Sequence, residues 1–173
     1  MNLLDQFKKI RAFVFDMDGV LTDGTVYVFD SGEQVRRMNI RDGFALQLAV
    51  KKGYRVAVIS GGYSAGALSR LNKLGITDAF MNVTDKRSVL LQYMADHGLS
   101  RSEVLFMGDD IPDYAAMKES DLPCSPPDAA PEVRKSAAYV TIAPAGMGCA
   151  REVIEKTLKL NGRWELETDT ASR

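Results

Sequence analysis

Phe13-Val14-Phe15-Asp16-Met17-Asp18-Gly19 decides how the rest of the chain is read: an apolar run stops at two carboxylates one residue apart. In a parallel α/β sheet ligands sit beyond the carboxyl ends of the strands, so this segment delivers Asp16 and Asp18 to a functional edge. A second apolar run, Val104-Leu105-Phe106-Met107, also ends in acids: Gly108-Asp109-Asp110, then Asp113. A single Asp after a strand is ordinary turn or helix-cap chemistry. Five carboxylates at two strand ends are different, because they repel one another unless a cation sits among them. An all-oxygen donor set suits a hard divalent ion, Mg²⁺ first.

Outward from this heptapeptide, strand-like apolar runs alternate with helical patterns, as in a doubly wound parallel sheet. The strands are expected near 11–16, 54–60, 79–83, 103–108, 121–124 and 138–142, and the helices near 43–52, 64–74, 85–97, 111–119, 129–136 and 148–160. Asp42 reads as the N-cap of the first helix, which ends before Gly53. Ala67, Leu68, Leu71 and Leu74 form the apolar face of the second, which ends at Gly75. Between the first strand and first helix, Thr25 to Phe29 and Glu33 to Met38 flank Asp30-Ser31-Gly32, which predicts a β-hairpin over 25–38.

The 173 residues suffice for one sizeable core and read as a single domain spanning 1–173, with a polar tail at 161–173. A formal net charge of −1 gives no electrostatic case for nucleic acid or an anionic membrane. Cys124 and Cys149 fit neither a metal pair nor a disulfide framework, and His97 reads as structural. Met1 to Ile10 is unlike a signal peptide, and no run approaches a membrane span, so the cytoplasm is the expected location.

The order Asp16-x-Asp18, Ser60-Gly61, Lys86 and Gly108-Asp109-Asp110-x-x-Asp113 resembles the four motifs of the haloacid dehalogenase superfamily of phosphotransferases. The resemblance implies that Asp16 is the nucleophile that accepts the phosphoryl group. Asp18 then protonates the leaving alkoxide and afterwards activates water. Ser60 and the Gly61 backbone hold the phosphate, Lys86 pairs with it, and Asp109 joins Asp16 and the Asp18 carbonyl around Mg²⁺. The chemistry asks for the same residue types. A phosphate dianion repels a carboxylate until Mg²⁺ and Lys86 neutralise charge on both sides of it. An alkoxide leaving group also needs a proton, which a carboxyl two residues along can supply.

Many members cover the substrate with an inserted cap domain, and the intervals after Asp18 and between Ser60 and Lys86 are too short for one. The opening Asp18-Gly-Val-Leu-Thr-Asp-Gly24, the hairpin and Gly146-Met147-Gly148-Cys149-Ala150-Arg151-Glu152 resemble one capless branch over about residues 10 to 160. That branch acts on 3-deoxy-D-manno-octulosonate 8-phosphate, in lipopolysaccharide precursor synthesis, or on the 9-phosphates of 2-keto-3-deoxy-nononate or sialic acid. The eight-carbon substrate is the expectation here. The nine-carbon enzymes often carry Glu where this chain has Gly62, whereas the octulosonate pattern favours a basic residue there and Arg in place of Met147.

The branch also implies a homotetramer with shared active sites, in which hairpins associate and a neighbour's Arg70 and Lys73 reach the substrate carboxylate. An alternative of another class, a non-catalytic partner of a sugar-acid cytidylyltransferase, is disfavoured because Asp16, Asp18, Ser60, Lys86 and Asp109 are all present.

Overall fold

The computed structural model describes residues 2–166 and 168–171. Its centre is a six-stranded parallel sheet. In chain order the strands are β1 (Ala12–Phe15), β4 (Arg55–Ile59), β5 (Asp78–Phe80), β6 (Val104–Met107), β7 (Leu122–Ser125) and β8 (Tyr139–Val140), and the spatial order is β5-β4-β1-β6-β7-β8. The hairpin strands β2 (Tyr27–Val28) and β3 (Gln34–Val35) pair with each other outside that sheet. The helices are α1 (Leu3–Lys9), α2 (Ile40–Lys51), α3 (Ala65–Lys73), α4 (Lys86–Asp96), α5 (Tyr114–Met117), α6 (Pro131–Ser136) and α7 (Cys149–Leu160).

The period of two along β1 divides the core. Phe13 and Phe15 face a cluster with Phe7, Leu46, Leu71 and Ile154, whereas Ala12 and Val14 face Leu90, Tyr93, Met117 and Val133. Helices therefore cover both faces, and every residue of β1 and β6 is fully buried. Burial of a side chain such as Phe15 contributes about 1.5–3 kcal/mol. The chain winds from β1 to β4 and β5 on one side, then crosses to β6, β7 and β8 on the other. This reversal puts the crevice for a ligand at the ends of β1, β4 and β6.

Several local expectations change. Asp42 is not the cap of α2: Asn39 is, its Oδ1 accepting from Arg41 N at 2.8 Å and Asp42 N at 3.2 Å, so the helix starts at Ile40. The expected helix over 111–119 is a 3₁₀ turn at Ile111–Asp113 followed by the single turn of α5, because Pro112 supplies no N–H and the chain bends back on Asp113. The N-terminal segment forms α1, capped by Asn2 and anchored by buried Phe7.

The hairpin ladder holds only four residues, with a bridge between Thr22 and Met38 closing its base and Gly32 taking φ +84° in the turn. Part of the polar tail is packed: Trp164 lies edge-on to Phe44 at 6.3 Å, beneath the Arg151 guanidinium, and Lys51 Nζ donates to Thr170 Oγ1 at 2.9 Å. Of that tail, Glu167, Ser172 and Arg173 lie outside the described residues. His97 packs on Tyr93, and both cysteines are buried thiols.

Candidate active site

β1, β4 and β6 end in register, with Phe15 beside both Val58 and Met107. Asp16, the next residue, donates its N–H to Met107 O at 2.9 Å, so the sheet fixes its backbone, and the residue is 6% exposed. Lys86 opens α4 behind the cap Asp85, whose carboxylate accepts from Ser88 N at 3.0 Å. Its Nζ lies 2.7 Å from Asp16 Oδ1 and 2.6 Å from Asp113 Oδ1. The other Asp113 oxygen accepts from Asp109 N at 2.9 Å and Asp110 N at 3.3 Å. Asp113 thus holds both Lys86 and the Asp109 loop. Reading the motif alone leaves that residue without a role, although the three-residue return from Asp110 to Asp113 is a signal that a turn brings it back.

Asp16, Asp109 and Asp113 each offer an oxygen within 4.8 Å of the others. Burial first, and then neighbouring carboxylates, push Asp16 and Asp109 well above the usual aspartate range. Burial works to lower Lys86, but Asp16 and Asp113 outweigh it and raise the ammonium. Three carboxylates against one ammonium leave an excess of two negative charges, the charge that one divalent cation balances.

Asp113 is already engaged by Lys86 and two N–H groups, so Asp16 and Asp109 are the side chains left to face such an ion. The Asp18 carboxylate is turned away from them, to Arg36 and Thr22. This all-oxygen set fits Mg²⁺. The crowding also explains two glycines: a Cβ on Gly19, at φ +90°, would lie 2.0 Å from Asp109 Oδ2, and one on Gly108 would lie 2.4 Å from Asp113 Cβ.

Ser60 follows β4 and is 1% exposed. Its N–H donates to Phe80 O at 2.8 Å, its carbonyl accepts from Val83 N at 2.9 Å, and its Oγ accepts from Gly62 N at 3.2 Å. The Ser60-Gly61-Gly62 turn is therefore pinned to the end of β5 beside the carboxylates, with Gly61 exposed.

Asp18 lies on the irregular turn Met17–Leu21. Its carboxylate accepts from Arg36 Nε at 2.9 Å and 3.1 Å, and from Thr22 Oγ1 at 3.3 Å. Arg36 was not singled out from the sequence. The available signal was the alternation along the hairpin arm: Arg36 turns inward with its side chain 7% exposed, and Arg37 turns outward to Asp23 at 2.7 Å.

Arg70 and Lys73 have different surroundings within one chain. Arg70 is half-buried and donates to Asn39 O at 3.3 Å, whereas Lys73 is exposed. The Asp42 carboxylate accepts from Gly148 N at 3.2 Å and Arg151 N at 2.7 Å, so it caps α7, and burial raises it above the usual aspartate range. The Gly146–Glu152 segment in turn buttresses the Asp18 turn: Gly146 N and Cys149 Sγ both donate to Val20 O, at 2.9 Å and 3.2 Å. A Cβ on Gly146 would strike Asp23 N at 2.5 Å.

No family model matches the chain. Among individual proteins it is similar to the 3-deoxy-D-manno-octulosonate 8-phosphate phosphatase KdsC of Yersinia pestis, with 30% identity over 95% of this chain and 88% of that one. The KdsC of Escherichia coli K12 is 30% identical over 94% and 86%. Among solved structures, that of the Yersinia pestis phosphatase superposes with a TM-score of 0.90 over 93% of this chain and 87% of its own, at 30% identity. The phosphatase of Moraxella catarrhalis, solved in complex with magnesium ion, phosphate ion and 3-deoxy-D-manno-octulosonate (KDO), superposes with a TM-score of 0.89 over 92% of each chain, at 31% identity. Identity at this level along nearly the whole length, on a sheet whose strand ends hold the clustered aspartates and one lysine, places the chain among the capless haloacid dehalogenase phosphoric monoester hydrolases of the 3-deoxy-D-manno-octulosonate 8-phosphate phosphatase family.

Proposed function

We propose that this chain, acting as a single domain, hydrolyses 3-deoxy-D-manno-octulosonate 8-phosphate to the free sugar acid and phosphate. The observation that carries the reading is the separate anchoring of two carboxylates two residues apart. Asp16 is held on the buried floor by Lys86, and Asp18 is held above it by Arg36 and Thr22. In the first step Asp16 attacks phosphorus, and the ester oxygen departs with a proton from Asp18. In the second, Asp18 takes a proton from water as the water oxygen attacks the aspartyl phosphate, which releases phosphate and restores Asp16.

Ser60 and the Gly61 and Gly62 backbone receive the phosphoryl oxygens, and Lys86 offsets their charge. Asp16, Asp109 and the Asp18 carbonyl would hold Mg²⁺, which when bound would supply further neutralisation of charge on the transferring group.

The proposed assembly is a homotetramer built on the hairpins. Val26, Tyr27, Val28, Phe29 and Val35 are 41%, 64%, 67%, 53% and 41% exposed, an apolar surface left open among the described residues. A neighbour packed there would exclude water from a site that has no cap, and it would bring its own Arg70 and Lys73 toward the substrate carboxylate. Among the described residues no helix is long and apolar enough to cross a membrane. The proposed setting is the cytoplasmic synthesis of lipopolysaccharide precursors.

Phosphate release from eight-carbon and nine-carbon keto-acid phosphates, measured side by side with Mg²⁺, tests the substrate. The expected kcat/KM is at least about tenfold higher for the eight-carbon ester. The reverse order would assign the chain to the nine-carbon acids, and turnover of neither would remove the sugar-acid reading. Mixing Asp16→Asn with Arg70→Ala tests the shared site. Activity recovers in mixed tetramers if Arg70 serves a neighbour, and stays absent after verified subunit exchange if it does not.

A further inference from the structure

Arg36 occupies a place that the reaction as described leaves unexplained. Its Nε takes both Asp18 oxygens, at 2.9 Å and 3.1 Å, while its side chain is 7% exposed. Both of its hydrogen bonds run through Nε, so neither Nη nitrogen has a hydrogen-bonded partner among the described residues. One Nη lies over the phosphate turn, 3.2 Å from where a Cβ on Gly62 would sit, and the same Cβ would be 3.5 Å from Asp18 Oδ2. Any larger residue at 62 would press on this guanidinium. From Arg36 a cleft of about 550 Å³ runs between the hairpin and the start of α3, past Gly32, Tyr63, Ser64, Ala67 and Arg70.

We propose that Arg36 is a substrate-contacting residue of its own subunit's site: Nε fixes Asp18 while the Nη pair receives the hydroxyl on the carbon next to the phosphorylated one. The inference rests on Asp18 being the group that faces the ester oxygen. An acid that protonates this oxygen must lie within hydrogen-bond distance of it. Donors on the far side of a planar guanidinium bonded to that acid then reach the substituent one carbon further along.

In 3-deoxy-D-manno-octulosonate 8-phosphate that substituent is the C7 hydroxyl. A buried guanidinium left without its hydroxyl partner in the transition state is costly, so the site would select polyol phosphates against simple alkyl phosphates. The selection comes from the hairpin of the same chain, independently of any neighbouring subunit.

The test compares octulosonate 8-phosphate with its 7-deoxy analogue on wild type, Arg36→Gln and Arg36→Lys, with glycerol 1-phosphate and propane-1,3-diol monophosphate as a second pair differing only in the hydroxyl next to the phosphorylated carbon. Wild type should favour the hydroxylated member of a pair by about ten- to hundredfold in kcat/KM. In Arg36→Gln that preference should collapse to within about threefold, and Arg36→Lys should restore part of it. If the glutamine variant slows both members equally and keeps the preference, Arg36 only positions Asp18 and the contact is wrong. Absence of any preference in wild type also overturns it. Failure of the octulosonate ester alone, with the glycerol pair behaving as stated, would instead refute the assigned substrate and leave the contact standing.

Discussion

The floor of the site and the hairpin arm above it are built on opposite terms. On the floor, Asp16, Lys86 and Asp113 are buried, with Lys86 Nζ 2.7 Å from Asp16 and 2.6 Å from Asp113, and they come from the end of β1, the start of α4 and the turn after β6. The hairpin has two paired residues on each strand and turns its apolar side chains outward. Charge inside and apolar surface outside is the reverse of the usual distribution. The difference separates two tasks: the floor concentrates negative charge that a divalent cation would balance, and the arm carries the apolar surface proposed to meet a neighbouring subunit and one inward residue, Arg36.

The largest effect should come from the floor. Asp16→Asn removes the proposed nucleophile and is expected to lower steady-state phosphate release by at least about a thousandfold, with the far-ultraviolet circular dichroism of the wild type. Normal turnover by the purified variant would end the covalent mechanism. Lys86→Met should cost about 3–5 kcal/mol in urea unfolding of the metal-free protein, since it leaves Asp16 and Asp113 buried without their cation. A loss below 1 kcal/mol would show that the carboxylates simply take up protons.

A pH series sharpens the same point. Asp16 and Asp109 have raised values in the folded protein, so the native state binds protons more tightly than the unfolded chain. The contribution of these groups is fully present below the ordinary aspartate value of 3.8 and is lost as pH rises through the raised values. Metal-free protein should therefore gain stability from this pair as pH falls from 8 toward 5, and saturating Mg²⁺ should flatten the dependence. A metal-free protein that weakens steadily over that range would contradict the stressed floor.

Smaller effects belong to the supports. Asp42→Ala removes the acceptor of two N–H groups at the start of α7 and should cost about 1–2 kcal/mol. Activity should fall with it, because the same segment holds the Asp18 turn. On the arm, Val28→Ser should change the stability of a single chain by no more than about 0.5 kcal/mol, while shifting sedimentation toward smaller species. A sedimentation coefficient equal to the wild type's would remove the hairpin from the interface.

The difference between floor and arm also governs what could be read in advance. Apolar runs closed by acids were legible at Asp16 and Asp109, since burial on both faces leaves an uninterrupted apolar pattern and strand ends are where ligands sit. The hairpin was legible from its turn residues. The alternation sets Arg36 and Arg37 on opposite sides of the arm, but which of them turns inward is decided by the Asp18 carboxylate that faces the arm. Asp42 was read as a local cap because it precedes an apolar stretch; its partners are Gly148 and Arg151, more than a hundred residues away. The pair Arg70 and Lys73 shared a helical spacing, and packing against Asn39 separated them.

By itself, then, the sequence determined the order of elements from β1 onward, the two acidic strand ends and the absence of a cap, because apolar period, turn chemistry and interval length are local properties of the chain; the helix before β1 was not among them. Only the tertiary structure decided that Asp113 joins Asp16 in holding Lys86, that Arg36 holds Asp18, and that the Gly146–Glu152 segment braces the turn beneath it. Those contacts join residues 18 to more than 120 positions apart. They arise where burial leaves a charge or an N–H group that must find a partner, and spacing along the chain does not specify which partner that is.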